Sequence, residues 1–269
     1  MLINTVLVFL NNALPAMFFI SVTSSILMPD SIALNRKIYA IIVGLMMAML
    51  ISWYMSIIAE MFDGIGFELL AAGIHFSLFS LVLGQLFFAL KENKKQGDSA
   101  LYQRKRESYR NTVYLIAIIL VIALNGGRLF VYLQGFMTSA DHYTPMLLGG
   151  IIGFGISISS ALLLLYILRS RLLAVWIRAP LIAFVFMSAR QLSELSLSLI
   201  QADWLPSGRP FWNSSYWIKD TSEIGRFFHA LIGYEDAPTI SQVFFYGFGM
   251  IAPLCIIFYG YRVKQQAHS

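Results

Sequence analysis

Charged side chains stand inside otherwise apolar stretches of this sequence at four positions. They are Glu68, Arg128, Arg190 and Glu194, and His75 is the one histidine in such a stretch. Because hydrocarbon does not solvate charge, such groups belong to a transport pathway, a binding site or an ion pair. Arg190 and Glu194 are four residues apart and can pair on one helix face, which would need no ligand. Interfacial exposure for Glu68 and a hydrogen-bonded core position for His75 also stay open.

Two of the apolar stretches contain residues that weaken a helix. Asn11, Asn12 and Pro15 lie near the middle of the first stretch, and Asn125-Gly126-Gly127-Arg128 lies in the fourth. Pro15 removes one backbone hydrogen bond, and asparagine amides can bond to freed carbonyls. Paired helix interruptions at matching places predict the central site of a transporter, and a simple kink is the alternative. The candidates that line a substrate pathway are Asn11, Asn12, Pro15, Glu68, His75, Asn125, Arg128, Arg190 and Glu194.

Seven apolar stretches of about 20 residues must position these side chains. A helix of that length crosses a hydrocarbon core about 30 Å thick. The backbone must be helical there, because lipid offers no hydrogen-bond partner. The sequence therefore predicts an all-α integral membrane protein. Its predicted spans are Leu2–Met28, Ile38–Ile58, Phe67–Leu90, Val113–Gln134, Pro145–Leu168, Ala179–Ile200 and Ile240–Tyr261.

Basic residues alternate between the two sides of these spans. One set of connections and the C-terminus hold 14 of the 19 Lys and Arg residues. The opposite set holds Arg209, Lys219 and Arg226 beside an excess of acidic residues. Positive loops face the cytoplasm. We therefore predict an outside N-terminus, an inside C-terminus and a multi-pass protein of the cell inner membrane. Residues 1–10 lack a basic leader region, so the first helix is expected to be retained.

The long connection at residues 91–112 predicts an internal repeat within a single membrane domain, 1–269. This charged cytoplasmic linker separates three spans in residues 1–90 from three in residues 113–200. Because three is odd, the second triplet enters the membrane from the opposite side, as in an inverted repeat. Leu10-Asn11-Asn12-Ala13 and Leu124-Asn125-Gly126-Gly127 are weakly alike at matching positions. Residues 240–261 then form a seventh helix.

The second long connection, residues 201–239, is predicted to be extracytoplasmic. It is rich in aromatic residues, which favour the level of the lipid headgroups. A capping box at Asp220-Thr221-Ser222-Glu223 and a stop at Gly233 predict a short amphipathic helix, Thr221–Ile232. That helix either lies on the membrane or caps the bundle, and the loop is a candidate contact for a periplasmic partner.

Small residues recur every four positions in the fifth span. Gly149, Gly153, Ser157 and Ala161 form this stripe. Such stripes mark close helix contacts in membranes. The contact lies either inside the chain, or with another copy or other membrane subunits.

Composition excludes several other classes of protein. Hydrophobic residues make up 58% of the chain and charged residues 12%, which is typical of a membrane protein. The net charge of +5 resides in cytoplasmic loops, so no nucleic-acid partner is predicted. Cys255 is the single cysteine, and one intramembrane histidine does not favour haem or zinc. No cofactor can be named, and no catalytic motif indicates an enzyme.

Two segments resemble the oxidase-dependent iron permeases, the family of high-affinity and bacterial elemental iron permeases. Leu231-Ile-Gly-Tyr-Glu-Asp-Ala-Pro-Thr-Ile-Ser-Gln-Val243 is similar to the family's Gly-Tyr-x-x-Ala-Pro-Ser segment before the last helix. Phe9-Leu-Asn-Asn-Ala-Leu-Pro-Ala-Met-Phe-Phe-Ile-Ser21 aligns with its first helix without a gap. Glu68 stands where family members tend to have Glu at the start of span three. The resemblance implies two inverted three-helix repeats plus one helix.

The family's iron-binding residues are missing from this chain. Family members carry Arg-Glu-x-x-Glu in spans one and four, whose carboxylates are taken to bind ferric iron. Here those places read Asn11-Asn12-Ala13-Leu14-Pro15 and Leu124-Asn125-Gly126-Gly127-Arg128. Ferric iron requires anionic oxygen ligands, so the usual site is lost. If iron is bound at all, Glu68 and Glu194 would have to be its ligands.

Two functions from different classes follow from these observations. The first is a permease of the iron-permease fold with an altered central site. Arg128 in that site suits an anionic or chelated substrate. An iron-related role therefore stays open. The second is a non-transporting integral subunit that scaffolds a larger membrane complex through the span-five stripe and the aromatic loop.

Overall fold

The chain is an all-helical bundle in the computed structural model, which describes residues 2–27, 32–92, 100–136, 143–170 and 179–266. Those residues form nine helices and no sheet. The helices are α1 Leu2–Leu27, α2 Leu34–Trp53, α3 Met55–Gly64, α4 Gly66–Glu92, α5 Ala100–Phe136, α6 Tyr143–Arg169, α7 Ala179–Gln201, α8 Glu223–Ile232 and α9 Ile240–Gln266.

Six helices of the described residues are long and apolar enough to cross a membrane, which makes this a polytopic membrane protein. They are α1, α2, α4, α5, α6 and α9. The predicted sixth span is also a helix, α7, but its polar residues keep it out of that set. Arg190, Gln191 and Glu194 lie in its buried middle, enclosed by the other helices. Polar groups on a helix inside a bundle do not meet lipid.

The helices differ from the predicted spans at two places. The predicted second span, Ile38–Ile58, divides into α2 and the separate, exposed α3. The chain then reverses at Phe62 and Asp63, which adopt positive φ angles of 56° and 62°. The predicted linker, residues 91–112, is partly helical, because α5 begins at Ala100 and runs on into the fourth span. Residues 93–99 of that linker lie outside the described part of the chain.

The small-residue stripe of α6 packs against α1 inside the monomer. A Cβ atom at Gly149 would lie 2.8 Å from the carbonyl oxygen of Leu2, and one at Gly153 would lie 2.7 Å from Cβ of Phe9. The two helices therefore run parallel at van der Waals contact. Of the two alternatives for this face (Gly149, Gly153 and Ser157), the structure shows the contact inside the chain, with α1, and it shows no contact of the described residues with another copy or subunit.

A matching stripe lies in α2, where Ala40, Gly44, Ala48 and Ser52 are all buried. This stripe packs against α5, again with the two helices parallel. A Cβ at Gly44 would lie 2.9 Å from Cβ of Ile122, and one at Gly126 would lie 2.9 Å from Cβ of Ala48. The second span of each half thus packs its small residues on the first span of the other half.

The first spans of the two halves, α1 and α5, run antiparallel. Near the start of α1, the Thr5 hydroxyl bonds to the Tyr132 hydroxyl, which lies near the end of α5, at 3.1 Å. Near the other end of α1, the hydroxyls of Ser24 and Tyr114 are 2.7 Å apart. Between these two ties, apolar side chains of α1, α4, α5 and α7 form the main core, with Phe19, Leu78 and Phe184 almost fully buried.

The loop after α7 folds back onto the bundle through α8. This helix begins two residues later than predicted, because Ser222 rather than Asp220 is the N-cap and accepts a bond from the Gly225 amide at 3.0 Å. The predicted stop at Gly233 is confirmed, with φ at 72°. Ala230 packs on Leu14 and Phe18, in the middle of α1. The helix therefore covers one side of the bundle next to the polar residues of α7.

Candidate functional site

A polar cavity of about 440 Å³ lies where α1, α4, α5 and α7 meet the loop around α8. Seven of the nine residues predicted to line a pathway border it: Asn11, Asn12, His75, Asn125, Arg128, Arg190 and Glu194. The loop contributes Asp220, Thr221, Arg226, His229 and Glu235, and α7 adds Leu197. Its volume is in the range of small-molecule sites.

Arg128 is a half-buried cation without a carboxylate partner in the described part of the chain. It lies in α5, one turn after Asn125, and its guanidinium carbon is 5.8 Å from the centre of the Phe67 ring. Its charge also acts on the neighbouring side chains of His75 and Arg190, neither of which is an anion. A cation–π contact of this kind contributes about 0.5–2 kcal/mol, which does not neutralise the charge. The guanidinium is thus available to an anion in the cavity.

Arg190 and Glu194 form the predicted ion pair, and His229 joins it. Arg190 Nη2 donates to Glu194 Oε1 at 2.9 Å, and both side chains are buried. His229 Nε2 donates to the same oxygen at 3.1 Å. Arg190 Nε also donates to the carbonyl of His229 at 3.1 Å, so the guanidinium closes the C-terminal end of α8. Gly233 lets the chain pass this point, because a Cβ there would lie 3.0 Å from Cβ of Arg190.

His229 is held as an imidazolium by its two partners. Its Nδ1 lies 3.0 Å from the carbonyl oxygen of Tyr234, and its Nε2 lies against Glu194. Both partners are acceptors, so both ring nitrogens must carry a proton. Burial alone would lower the pKa of His229, but the hydrogen bond and negative charge of Glu194 outweigh burial, and the pKa is raised. One carboxylate, Glu194, therefore faces two cations.

His75 is only half satisfied. Its Nδ1 donates to Gln191 Oε1 at 2.9 Å, which joins α4 to α7. That bond fixes the proton on Nδ1 and leaves a lone pair on Nε2. Nε2 is buried and has no hydrogen-bond partner among the described residues. The interpretation of His75 as a satisfied core histidine therefore accounts for one of its nitrogens, and the side chain as a whole borders the cavity.

Asn12 and Asn125 have the same local geometry in the two halves. Asn12 Nδ2 donates to the carbonyl of Val8 at 2.9 Å, and Asn125 Nδ2 donates to the carbonyl of Val121 at 2.8 Å. Each amide thus bonds to its own helix four residues back. Neither bond replaces a lost helix hydrogen bond at an interruption, because α1 and α5 are continuous through Asn12 and Asn125.

The predicted helix interruptions are therefore wrong. Pro15 is buried inside the continuous α1, since its fixed φ is compatible with a helix at the loss of one bond. Gly127 of α5 packs closely on α2, where a Cβ would lie 3.1 Å from Cγ2 of Ile51. Together with Gly126, it provides close contact rather than flexibility.

Two predicted site residues do not border the cavity. Pro15 is buried in α1, and Glu68 lies half-buried at the first turn of α4. Glu68 and Glu194 are therefore not brought together as ligands. Across the described residues, no group of three or more His, Cys, Asp and Glu side chains is placed to hold a metal ion.

The loop contributes two carboxyls that the sequence analysis did not assign to the site. Burial raises the pKa of Glu235 to about 7, against the opposing effect of His229. Partial burial also raises the pKa of Asp220, although the backbone amide of Asp236, which donates to its carboxylate at 3.0 Å, acts against this. His229 and the two acids Asp220 and Glu235 are visible in the sequence on either side of Gly233, but this segment was interpreted as an aromatic belt with a short helix.

Comparison of the chain with protein-family models, with curated proteins and with solved structures finds no match. The fold and the cavity must therefore carry the functional argument.

Proposed function

We propose that this protein is a seven-span permease that takes a small anionic or chelated solute into the cavity beside Arg128. The single observation that carries the proposal is the guanidinium of Arg128, which has no carboxylate partner among the described residues and borders a polar cavity between the helices and the loop around α8. Buried charges in membrane proteins are costly, and a partner is expected for each. Since no carboxylate in the described residues pairs with Arg128, a bound anion is the natural partner.

The packing of the helices supports an inverted repeat of two three-helix units, α1-α2-α4 and α5-α6-α7. The first span of each unit packs in parallel with the second span of the other, through small residues in both cases. The two first spans run antiparallel. A two-fold axis in the membrane plane would produce this pattern, and it would make α7 the sixth span and α9 the seventh. Transporters of this kind hold their substrate where the repeats meet.

The charges of the cavity favour an anion over a bare metal cation. Arg128, Arg190, Arg226 and His229 supply positive charge, whereas the facing carboxyls are Glu194, Asp220 and Glu235. Glu194 is already engaged by two cations. A trivalent cation would have to displace those partners and face an arginine. The iron-permease likeness therefore supports the proposed architecture, and an iron-related role would require the metal to enter as an anionic chelate.

The test is uptake by the purified full chain in proteoliposomes. We expect saturable uptake of at least one of radiolabelled phosphate, citrate and ferric citrate, and none of uncomplexed iron. Arg128→Gln should abolish that uptake, and Arg36→Gln, an equal charge loss at the exposed start of α2, should not. Uptake of uncomplexed iron, or anion uptake that survives Arg128→Gln, would refute the proposal.

A scaffold subunit is the second candidate, and one observation favours it. Tyr216 and Trp217 in the outer loop are 92% and 85% exposed, so almost none of their surface is buried within the chain. Exposed aromatic pairs are common where proteins bind one another or meet headgroups. Stoichiometric co-purification of other membrane subunits, lost in a Tyr216→Ser/Trp217→Ser variant, would favour this function if no uptake is found.

A further inference from the structure

We propose that the cavity binds a small zwitterion, a solute that carries an acidic oxyanion group and, a few bonds away, a protonated amine. This inference rests on the proposed function, because it assumes that the cavity holds a solute at Arg128. It adds a second recognition element, a set of acceptor atoms on four helices that have no donor among the described residues. Amino acids, aminosulfonates and aminophosphates belong to this chemical class.

The anionic end has two guanidinium groups within the same cavity. Arg128 makes no ion pair in the described part of the chain. Arg226 of α8 also has no carboxylate partner there: its Nε donates to the carbonyl of Thr221 at 3.2 Å, and its Nη1 reaches Asn11 Oδ1 at 3.5 Å. Guanidinium groups bind carboxylate, sulfonate and phosphonate oxygens in pairs of hydrogen bonds. The cavity thus has one anion site at its helix wall and a second arginine at its loop wall.

The other end of the solute would meet side chains that still have free acceptor atoms. Asn12 and Asn125 border the cavity, and each donates one amide N–H to its own helix, which leaves the second N–H and the acceptor Oδ1 for a solute. His75 adds the lone pair of Nε2, on a side chain that is 4% exposed and has no partner for that atom. Glu194 uses Oε1 for both its cations, and no described residue donates to Oε2. An ammonium group, with three donors, matches this set.

Neither a plain anion nor a plain cation satisfies both sets of groups. An anion at Arg128 would leave the buried Nε2 of His75 without a donor, and a buried group without a partner weakens binding. A cation would lie among three arginines. A zwitterion satisfies both sets and adds no net charge to the bundle. Its preference over the plain acid should be about tenfold or more, the effect expected for one unmet charged hydrogen bond.

Equilibrium binding to the purified full-length protein in nanodiscs tests the inference. The probes are the twenty common amino acids, taurine and phosphoethanolamine. Each is compared with two analogues of the same skeleton, one with hydrogen and one with trimethylammonium in place of the ammonium. We expect at least one zwitterion to bind, and both of its analogues to bind about tenfold more weakly or worse.

Two variants separate the ends of the solute. Arg128→Gln should abolish binding of the zwitterion and of its deaminated acid, whereas Asn125→Ala should remove only the preference between them. Arg36→Gln and Asn35→Ala, on the exposed start of α2, are the matched controls. A deaminated acid that binds as tightly as the zwitterion would overturn this inference and leave the anion permease standing. Absence of binding by every zwitterion and acid would overturn both. A fold defect is excluded if each variant has the same midpoint temperature of thermal unfolding as its control.

Discussion

The charged cluster of Arg190, Glu194 and His229 predicts an asymmetry between two neutralising substitutions. Glu194→Gln removes the one carboxylate that faces two cations, Arg190 at 2.9 Å and His229 at 3.1 Å. Arg190→Gln leaves Glu194 paired with the imidazolium of His229. We therefore expect Glu194→Gln to be the more destabilising change, although each variant loses the same ion pair.

The magnitudes follow from what each variant leaves buried. Removing one member of a buried ion pair and stranding its partner costs about 3–5 kcal/mol, and we expect this for Glu194→Gln. For Arg190→Gln the expected loss is about 1–3 kcal/mol, the cost of lost bonds to charged groups. The double variant removes both charges, and His229 can then release its proton. It should therefore be more stable than the sum of the single effects by about 1–3 kcal/mol.

Reversible unfolding of the detergent-solubilised protein by a denaturing detergent measures these free energies. Glu60→Gln and Arg36→Gln, both at exposed positions, control for the loss of either charge. A greater loss from Arg190→Gln than from Glu194→Gln would contradict the arrangement of two cations around one carboxylate. Strict additivity in the double variant would show that the two side chains do not interact.

Three further outcomes follow from the structure. Because the folded pKa of Glu235 is about 7 and its ordinary value is 4.5, its ionisation destabilises the fold as pH rises between these values. Glu235→Gln should then stabilise the protein at pH 8, by at most about 3 kcal/mol, and not at pH 4, as thermal unfolding would show. Gly153→Leu, which collides with Phe9, should prevent folding by the same measurement, whereas Gly155→Leu, with open space around it, should be tolerated. A cytoplasm-dependent reporter should be active when fused after Ser269 and silent after Trp212; activity at Trp212 would contradict the predicted orientation.

The helices and much of the cavity were predictable from the sequence because lipid makes polar residues costly. Asn12, His75 and Arg128 are polar residues in apolar spans. Because hydrocarbon does not solvate them, such residues face the interior of the bundle, where they come close to one another. The pairing of Arg190 with Glu194 follows from four-residue spacing alone. These arguments depend on local pattern and solvent, which a single sequence contains.

What the sequence did not reveal depends on contacts between distant segments. His229 and Arg226 join the cavity because the loop folds back, and nothing in its local pattern indicates which span α8 contacts. The stripe at Ala40 and Gly44 was visible, but its partner helix was not. Asn125 and the two glycines after it were interpreted as a weak point of the helix, because glycine has a poor helix propensity. In the folded bundle, the packing of Gly126 and Gly127 against α2 compensates for that propensity, and the sequence does not show this contact.

Thiol labelling measures whether the cavity presents net positive charge through Arg128, without knowledge of the solute. Cys255 is replaced by Ser, and Leu197→Cys places a single thiol in the cavity wall. We predict that an anionic sulfonatoethyl methanethiosulfonate reacts faster than its cationic trimethylammonium counterpart, relative to their rates with a free thiol. The preference should fall in Arg128→Gln and persist in Arg36→Gln. Faster reaction with the cationic reagent, or a preference unchanged by Arg128→Gln, would show that Arg128 does not make the cavity positive.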